Sequence, residues 1–520
     1  MLICSQVSFA NNISIANVSL TSKNTSAGTD NAANFRFVQF DISWENSWRT
    51  SSAPNNWDAA WVFMKYRLNG TGDWKHANFN AGAGQVAPAG GVIDVPTDGV
   101  GAFIYRSADG SGTFSLNAAQ LRWNYGFNNV LDNDVVEIKL FAIEMVYVPQ
   151  GSFNLGSTGT EDNGLTNGSW TSGASVRLNI TSENALNIEN TAGNLWATTG
   201  TISNPIGSVG VLPAAYPKGY ASFYCMKYET SQKQYRDFLN LLSYTQQAGL
   251  MIIAPTSLPG SGVLRNTSPY YRNGLVIANS GINSSRPAVI ACDLDRDGVF
   301  NEDNDGENIA CNFLSFKQGI AYLDWSGLRP MTELEFQKSC RGTATNDYLN
   351  FFVINSSTAI TNQPYTLVNS GRSDENISNL SNANFHYSST KNTTVTEQGP
   401  FRTGIFASST TSSFFQAGAT PLGIMEMGGN LVEQVINLVA NEGRAYDGLN
   451  GDGNLASNGL ANVSNWPVGT SNPKAYGTKG GGWNSFLWTE LRIADRSQII
   501  SGITTSTLEN AGIRGVRRPN

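Results

Sequence analysis

The chain has 520 residues, of which only 14% are charged, with a formal net charge of −7, 53 Gly and 11% aromatic residues. A weakly charged, acidic chain excludes electrostatic binding to nucleic acid, which needs a basic face, and fits an anionic membrane surface poorly. Aromatics recurring among abundant turn formers exclude a disordered chain and predict a mainly β, loop-rich protein large enough for more than one domain.

The opening residues, Met1–Ala10, read as the remnant of a secretory signal: a short apolar stretch closing on the small Ala10. No run approaches the roughly 18 apolar residues of a transmembrane helix. Residues 11–142 then carry period-two alternation at Val38, Phe40, Ile42 and Trp44, at Val62, Met64, Tyr66 and Leu68, and at Val136, Ile138 and Leu140. Turn clusters such as Asn69–Gly72 and Asp109–Gly112 separate these runs, which predicts an all-β antiparallel sandwich.

A second unit is predicted over residues 143–520, with a polar, Gly/Asn/Ser-rich insertion at about 156–215. Tyr235, Phe238, Leu239 and Leu242 have helical spacing, with Thr230 or Ser231 as the N-cap. Pro287–Cys292 reads as a strand and leads into Asp293-Leu-Asp295-Arg-Asp297-Gly298. Oxygens at alternate positions followed by glycine have the spacing of a calcium loop, with the Val299 carbonyl seventh. The twelfth position is Asn304 instead of glutamate, so Asp305 or Glu302 would complete the ligand set. Cys292 and Cys311 bracket this loop and are the disulfide candidate, a bridge that would stabilise by roughly 3 kcal/mol. Cys225 and Cys340 are either buried thiols or a second pair. Calcium and disulfides both suit an oxidising exterior. Further on, Thr332 and Glu335 form a capping box, Phe336 and Cys340 share the helix face that follows, and Gly342 ends the helix.

Several of these segments share one pattern. Glu144–Phe153, Phe223–Tyr235, Gly327–Phe336, Gly423–Glu433 and the closing Lys479–Trp483, Leu491–Ser497 and Gly512–Pro519 resemble, in order, the formylglycine-generating enzyme family of sulfatase-modifying factors. The resemblance implies an α+β C-type-lectin-like fold from about residue 144 to the end. In catalytic members two cysteines after the Gly-Gly turn bind copper. Here the first falls at Ser485 and the second between Phe486 and Glu490, and Trp483–Glu490 contains no cysteine. Copper(I) selects sulfur, so no copper is expected. A related three-histidine iron site is not expected either, since the chain has only His76 and His386.

The resemblance also implies two calcium sites. One uses the Glu426 and Glu433 side chains with the carbonyls of Gly429 and Leu431. The other uses Asn384 with the carbonyl of Phe385. Arg492, Asp495, Arg496 and Arg514 are expected to form a buried ion network, and Lys479–Gly482 a tight turn of close backbone approach.

The reading that follows is a secreted or cell-surface, non-catalytic bacterial protein, stabilised by calcium, with a structural or adhesive role toward a surface partner or its own copies. The first alternative is a diversified ligand-binding lectin-like protein of a retroelement system, with 483–490 and 498–510 as its face. The second is an oxidoreductase of the same family with unrecognised chemistry.

Overall fold

The computed structural model describes residues 12–265, 269–342, 364–387, 398–408, 411, 413–467, 473–501 and 508–519. The predicted signal remnant, including Cys4, lies outside the described residues.

The N-terminal part supplies eight strands: β1 (Ser14–Asn24), β2 (Phe35–Arg49), β3 (Asp58–Leu68), β4 (Lys75–His76), β5 (Gly91–Asp94), β6 (Ala102–Arg106), β7 (Gly110–Trp123) and β8 (Val136–Val148). β1, β2 and β7 form one antiparallel sheet. The others enter an eight-stranded antiparallel sheet, in which β5, β6, β3 and β8 are followed by Phe223–Met226, Gly515–Arg517 and Arg329–Pro330, with β4 paired to β3. The period-two apolar alternation seen in the sequence sorts onto faces as expected of a pleated strand. Val38, Phe40, Ile42 and Trp44 of β2 pack with Ala60, Val62, Met64 and Tyr66 of β3 in one core cluster.

β3 is buried on both faces. Its other alternate residues, Ala59, Trp61 and Phe63, join a second core with Trp325, Leu328 and Phe238. Phe63 meets Trp325 edge-on at 5.2 Å, and the Trp61 indole donates to the Ser326 carbonyl at 2.8 Å. β3 is therefore the middle layer of the molecule. The boundary expected between residues 142 and 143 falls inside β8: Ala142 and Ile143 pair with Val62 and Trp61, and Met145–Val148 also pair with Phe223–Met226. A continuous strand joins the two predicted units, with no linker between them.

Buried polar groups tie the same junction. The Lys227 ammonium lies 3.0 Å from Glu144 and 3.4 Å from Asp58, and Asp58 also accepts from the Trp44 indole at 2.9 Å. The Lys65 ammonium donates to the carbonyls of Trp325 (2.7 Å) and Gly453 (2.5 Å) and to His76 Nδ1 (3.0 Å).

Four capped helices complete the scaffold: α1 (Gln232–Leu239), α2 (Tyr244–Leu250), α3 (Phe316–Trp325) and α4 (Glu333–Arg341). Of the two expected caps for α1, Ser231 is the one used, in a capping box with Gln234. Thr332 and Glu335 form the expected capping box of α4, which ends at Gly342 with φ 67°. The polar insertion is itself folded: Leu165–Asn167, Leu195–Ala197, Leu186–Ile188 and Gly210–Leu212 form a small sheet.

Candidate functional site

The acidic loop follows directly from the strand Val289–Cys292. Its carboxylates Asp293, Asp295 and Asp297 lie with ligand atoms within 4.8 Å of one another. Successive Asx turns bend the loop: Asp295 accepts from the Asp297 amide at 3.2 Å, and Asp297 accepts from the Val299 amide at 2.7 Å. Gly298, at φ 82°, allows the reversal. Asp293 is 6% exposed and its Oδ1 has no partner. The Asn304 amide donates to Asp295 at 2.5 Å. Asp305 stands inside the loop and accepts from the amides of Leu294 (3.2 Å) and Glu302 (2.8 Å). Burial, reinforced by the charges of Asp295 and Asp293, pushes its carboxyl up to about 6. Oxygen-only donors and an orphaned buried carboxylate oxygen fit a hard divalent cation, held by Asp293, Asp295 and Asp297, with Asp305 bracing the backbone.

A second carboxylate cluster lies in the core. Glu433 receives the Arg514 Nε at 2.6 Å, and Arg514 donates its remaining N–H groups to carbonyls that include Met226 and Met425. Glu426 accepts from the Gly404 amide at 2.9 Å through one oxygen, and its Oε1 is buried without a partner. Glu229, given no role by sequence reasoning, accepts from the Leu431 amide at 2.8 Å and the Asn430 side chain at 2.5 Å. Burial, then the charges of Glu426 and Glu433, hold Glu229 far above the usual carboxylate range, and burial pushes Glu426 up to about 7. Glu229 lies inside the Tyr228-Glu229-Thr230 motif, the one signal that pointed to it. Three buried carboxylates share Arg514, with the Arg402 charge also acting on Glu426, and the free Glu426 oxygen fits a proton or a cation. Asn384 offers less. Its oxygen already accepts from Ser381 N (2.9 Å), Ser381 Oγ (3.2 Å) and Tyr365 (3.3 Å), and its amide donates to Ser381 and Gln416.

The Gly480–Gly481 turn takes positive φ, and a Cβ at Gly480 would meet the Met427 carbonyl at 2.5 Å, the close approach expected there. Beyond it the Ser485 hydroxyl accepts from the Gly482 amide at 3.0 Å. A cavity of about 280 Å³ opens here, lined among others by Lys479, Asn484, Ser485, Phe486, Glu490 and Gln498. Phe486 is 83% exposed at its rim. Burial pushes the Lys479 amine, bonded to the Asp495 carbonyl, down to about 8. Trp483 is core, its indole on the Glu509 carbonyl at 3.0 Å. The expected Arg network resolves into separate pairs: Arg496 with Glu333 at 2.7 Å, Arg514 with Glu433, and Arg492 with Asp495 at 4.0 Å. Arg496 and Glu333 are 163 positions apart and Arg514 and Glu433 are 81 apart, which is why no local pattern revealed these two pairings.

The family model for FGE-sulfatase, described as a sulfatase-modifying factor enzyme 1-like domain, matches residues 135–519. The chain belongs to the sulfatase-modifying factor family. No curated protein matches it. The family match starts one residue before β8, so the strand shared by both units belongs to the family domain. Within this sulfatase-modifying factor domain the described cysteines are all buried free thiols. Cys292 and Cys311, the disulfide candidate, stand unbridged, and burial pushes the Cys225 and Cys292 thiols up to about 12. Neither histidine is near an open site: His76 Nε2 lies 2.7 Å from the Val100 carbonyl, and His386 stacks on Phe401 at 3.6 Å. No helix among the described residues is long and apolar enough to cross a membrane.

Proposed function

We propose that this family member is a non-catalytic, secreted or cell-surface protein whose fold is stabilised by calcium at Asp293, Asp295 and Asp297, with a structural or adhesive role. We read the fold as a C-type-lectin-like domain carrying a β-sandwich on its sheet. The observation that carries the reading is the lining of the 280 Å³ cavity, which includes Ser485, the residue that by count from the Gly-Gly turn falls where the family resemblance implies the first copper ligand, and which includes no cysteine. A serine hydroxyl does not supply the soft donor that copper(I) selects. The thiols elsewhere in the core are held protonated by burial.

Thermal unfolding in calcium and in chelator, with metal analysis of the purified protein, tests this. Expected are a calcium-dependent rise in midpoint and no stoichiometric copper or iron. Copper bound one per chain, with oxygen consumed on a cysteine peptide, would restore the oxidoreductase reading.

A second reading has one specific support: part of the cavity lining, Asn484, Ser485, Phe486, Glu490, Gln498, Ser501, Leu508 and Asn510, falls within the face expected of a diversified ligand-binding protein. A template repeat beside a reverse transcriptase gene in the source genome would favour it, and their absence would remove it.

A further inference from the structure

Neighbouring strands bring one lysine and two carboxylates to a single point in the core. Asp58 opens β3, Glu144 lies on β8, and Lys227 directly follows Phe223–Met226, the strand paired to the other edge of β8. The Lys227 amide donates to the Glu144 carbonyl at 2.9 Å, which sets these two residues side by side. All three side chains are buried. Nζ of Lys227 lies 3.4 Å from Asp58 Oδ2 and 3.0 Å from Glu144 Oε2. It also stands over the rings of Trp48 at 5.1 Å and Tyr228 at 5.4 Å, so aromatic surfaces help to close the site.

The two oxygens of Asp58 are held differently. Oδ1 receives the Ser47 hydroxyl at 2.8 Å and the Trp48 amide at 3.0 Å, whereas Oδ2 receives the Trp44 indole at 2.9 Å and faces Lys227. Two donors on one oxygen are the arrangement that stabilises a developing oxyanion. Burial raises the Glu144 carboxyl above its usual range, against the pull of Lys227, which suits it to hold and pass a proton. Burial also acts to strip the Lys227 proton, but the charges of Glu144, Tyr228 and Asp58 outweigh it and hold the amine protonated. The resting state is therefore an ion pair. Passing one proton from Lys227 to Asp58 by way of Glu144 leaves an amine beside a carboxylic acid. That transfer removes two charges from a site where charge is expensive, and the triad holds as many protons as before.

We propose that Lys227 and Asp58 condense to an amide, a covalent cross-link between the N-terminal sheets and the family domain, with Glu144 as the proton carrier. Nζ attacks Asp58 Cγ, and Oδ1, held by Ser47 and Trp48, takes the negative charge. Glu144 carries an amine proton to Oδ2, the Cγ–Oδ2 bond breaks, and Oδ2 leaves as water. The ammonium gives two protons to that water and the amide keeps the third, so no oxidant or co-reactant enters. The fixed approach and the exclusion of water favour the bond.

The test is mass spectrometry of the full chain under denaturing conditions, followed by protease mapping. Expected are a loss of one water from the mass that the sequence requires, and a branched peptide joining the segment with Asp58 to the segment with Lys227. Lys227→Arg restores the full mass and abolishes the branched peptide. Glu144→Gln slows its accumulation about a hundredfold or more. Circular dichroism checks that both variants fold. Should neither fold, the unaltered chain decides alone, because its branched peptide needs no variant for comparison. Full mass with both peptides linear overturns the cross-link, and so does a water loss that maps to any other residue. Equal cross-linking in folded Glu144→Gln overturns the role of Glu144. The bond is read by mass, so this proposal and the calcium reading fail separately.

Discussion

The two carboxylate clusters make an instructive pair. Around Glu229, Glu426 and Glu433 the fold supplies its own counter-charge, Arg514, which is fully buried and bonded on every side. Around Asp293, Asp295 and Asp297 no ion pair is formed with a cation among the described residues, and Asp295 and Asp297 are exposed. The first cluster carries its own counter-charge and belongs to the core. The second is open at the surface, and under the proposed function an ion from outside takes that place. Folding stability should therefore depend on the first, and calcium sensitivity on the second.

The largest effect comes from breaking the internal compensation. Arg514→Met strands Glu433 beside two other buried carboxylates and is expected to cost about 3–5 kcal/mol in chemical denaturation. A loss below about 1 kcal/mol, the range of an exposed pair, would erase the distinction between the clusters. Next is Asp293→Asn. The unaltered chain should gain about 2.7 kcal/mol when calcium is a hundredfold above its dissociation constant, and the variant should gain nothing while unfolding normally in chelator. A calcium response that survives in Asp293→Asn but vanishes in Glu426→Gln would move the ion to the core cluster.

The pH dependence sharpens the same contrast. Glu426 is raised from 4.5 to about 7 in the folded state, so the native form holds the proton more tightly than the unfolded chain. Its contribution is fully present below 4.5 and is lost as pH rises through about 7. Glu426→Gln should flatten that decline in midpoint across the window, whether or not calcium is present. The smallest effect is expected at the exposed pair Arg372–Asp303, 2.6 Å apart, where Arg372→Ala should change stability by less than about 1 kcal/mol and leave the calcium response intact.

Local patterns in the sequence foretold local structure. The Thr332–Glu335 capping box, the Ser231 cap and the Asp-x-Asp-x-Asp-Gly turn each depend on residues within a few positions, and each is formed as the spacing implies. The family resemblance likewise located the domain matched over residues 135–519. What stayed hidden depends on distant partners. Alternation at Val62, Met64 and Tyr66 announces one buried face of β3 but cannot announce that Trp61 and Phe63 bury the other. Glu229 meets Leu431 across 202 positions, and Asn384 is engaged by Tyr365 and Gln416. Asp305, expected as a ligand, accepts from the backbone amides of Leu294 and Glu302 as well, a contact that the spacing did not announce.

The passage of β8 through both units has a mechanical consequence. Its eleven paired residues with β3, and its four with Phe223–Met226, leave no swivel between the N-terminal sheets and the family domain. A load applied to one part reaches the other through a continuous hydrogen-bonded ribbon, and its direction is preserved. The rim near Phe486 is thereby carried by a sheet joined strand to strand with the N-terminal part, as on a rigid bracket and unlike a tether.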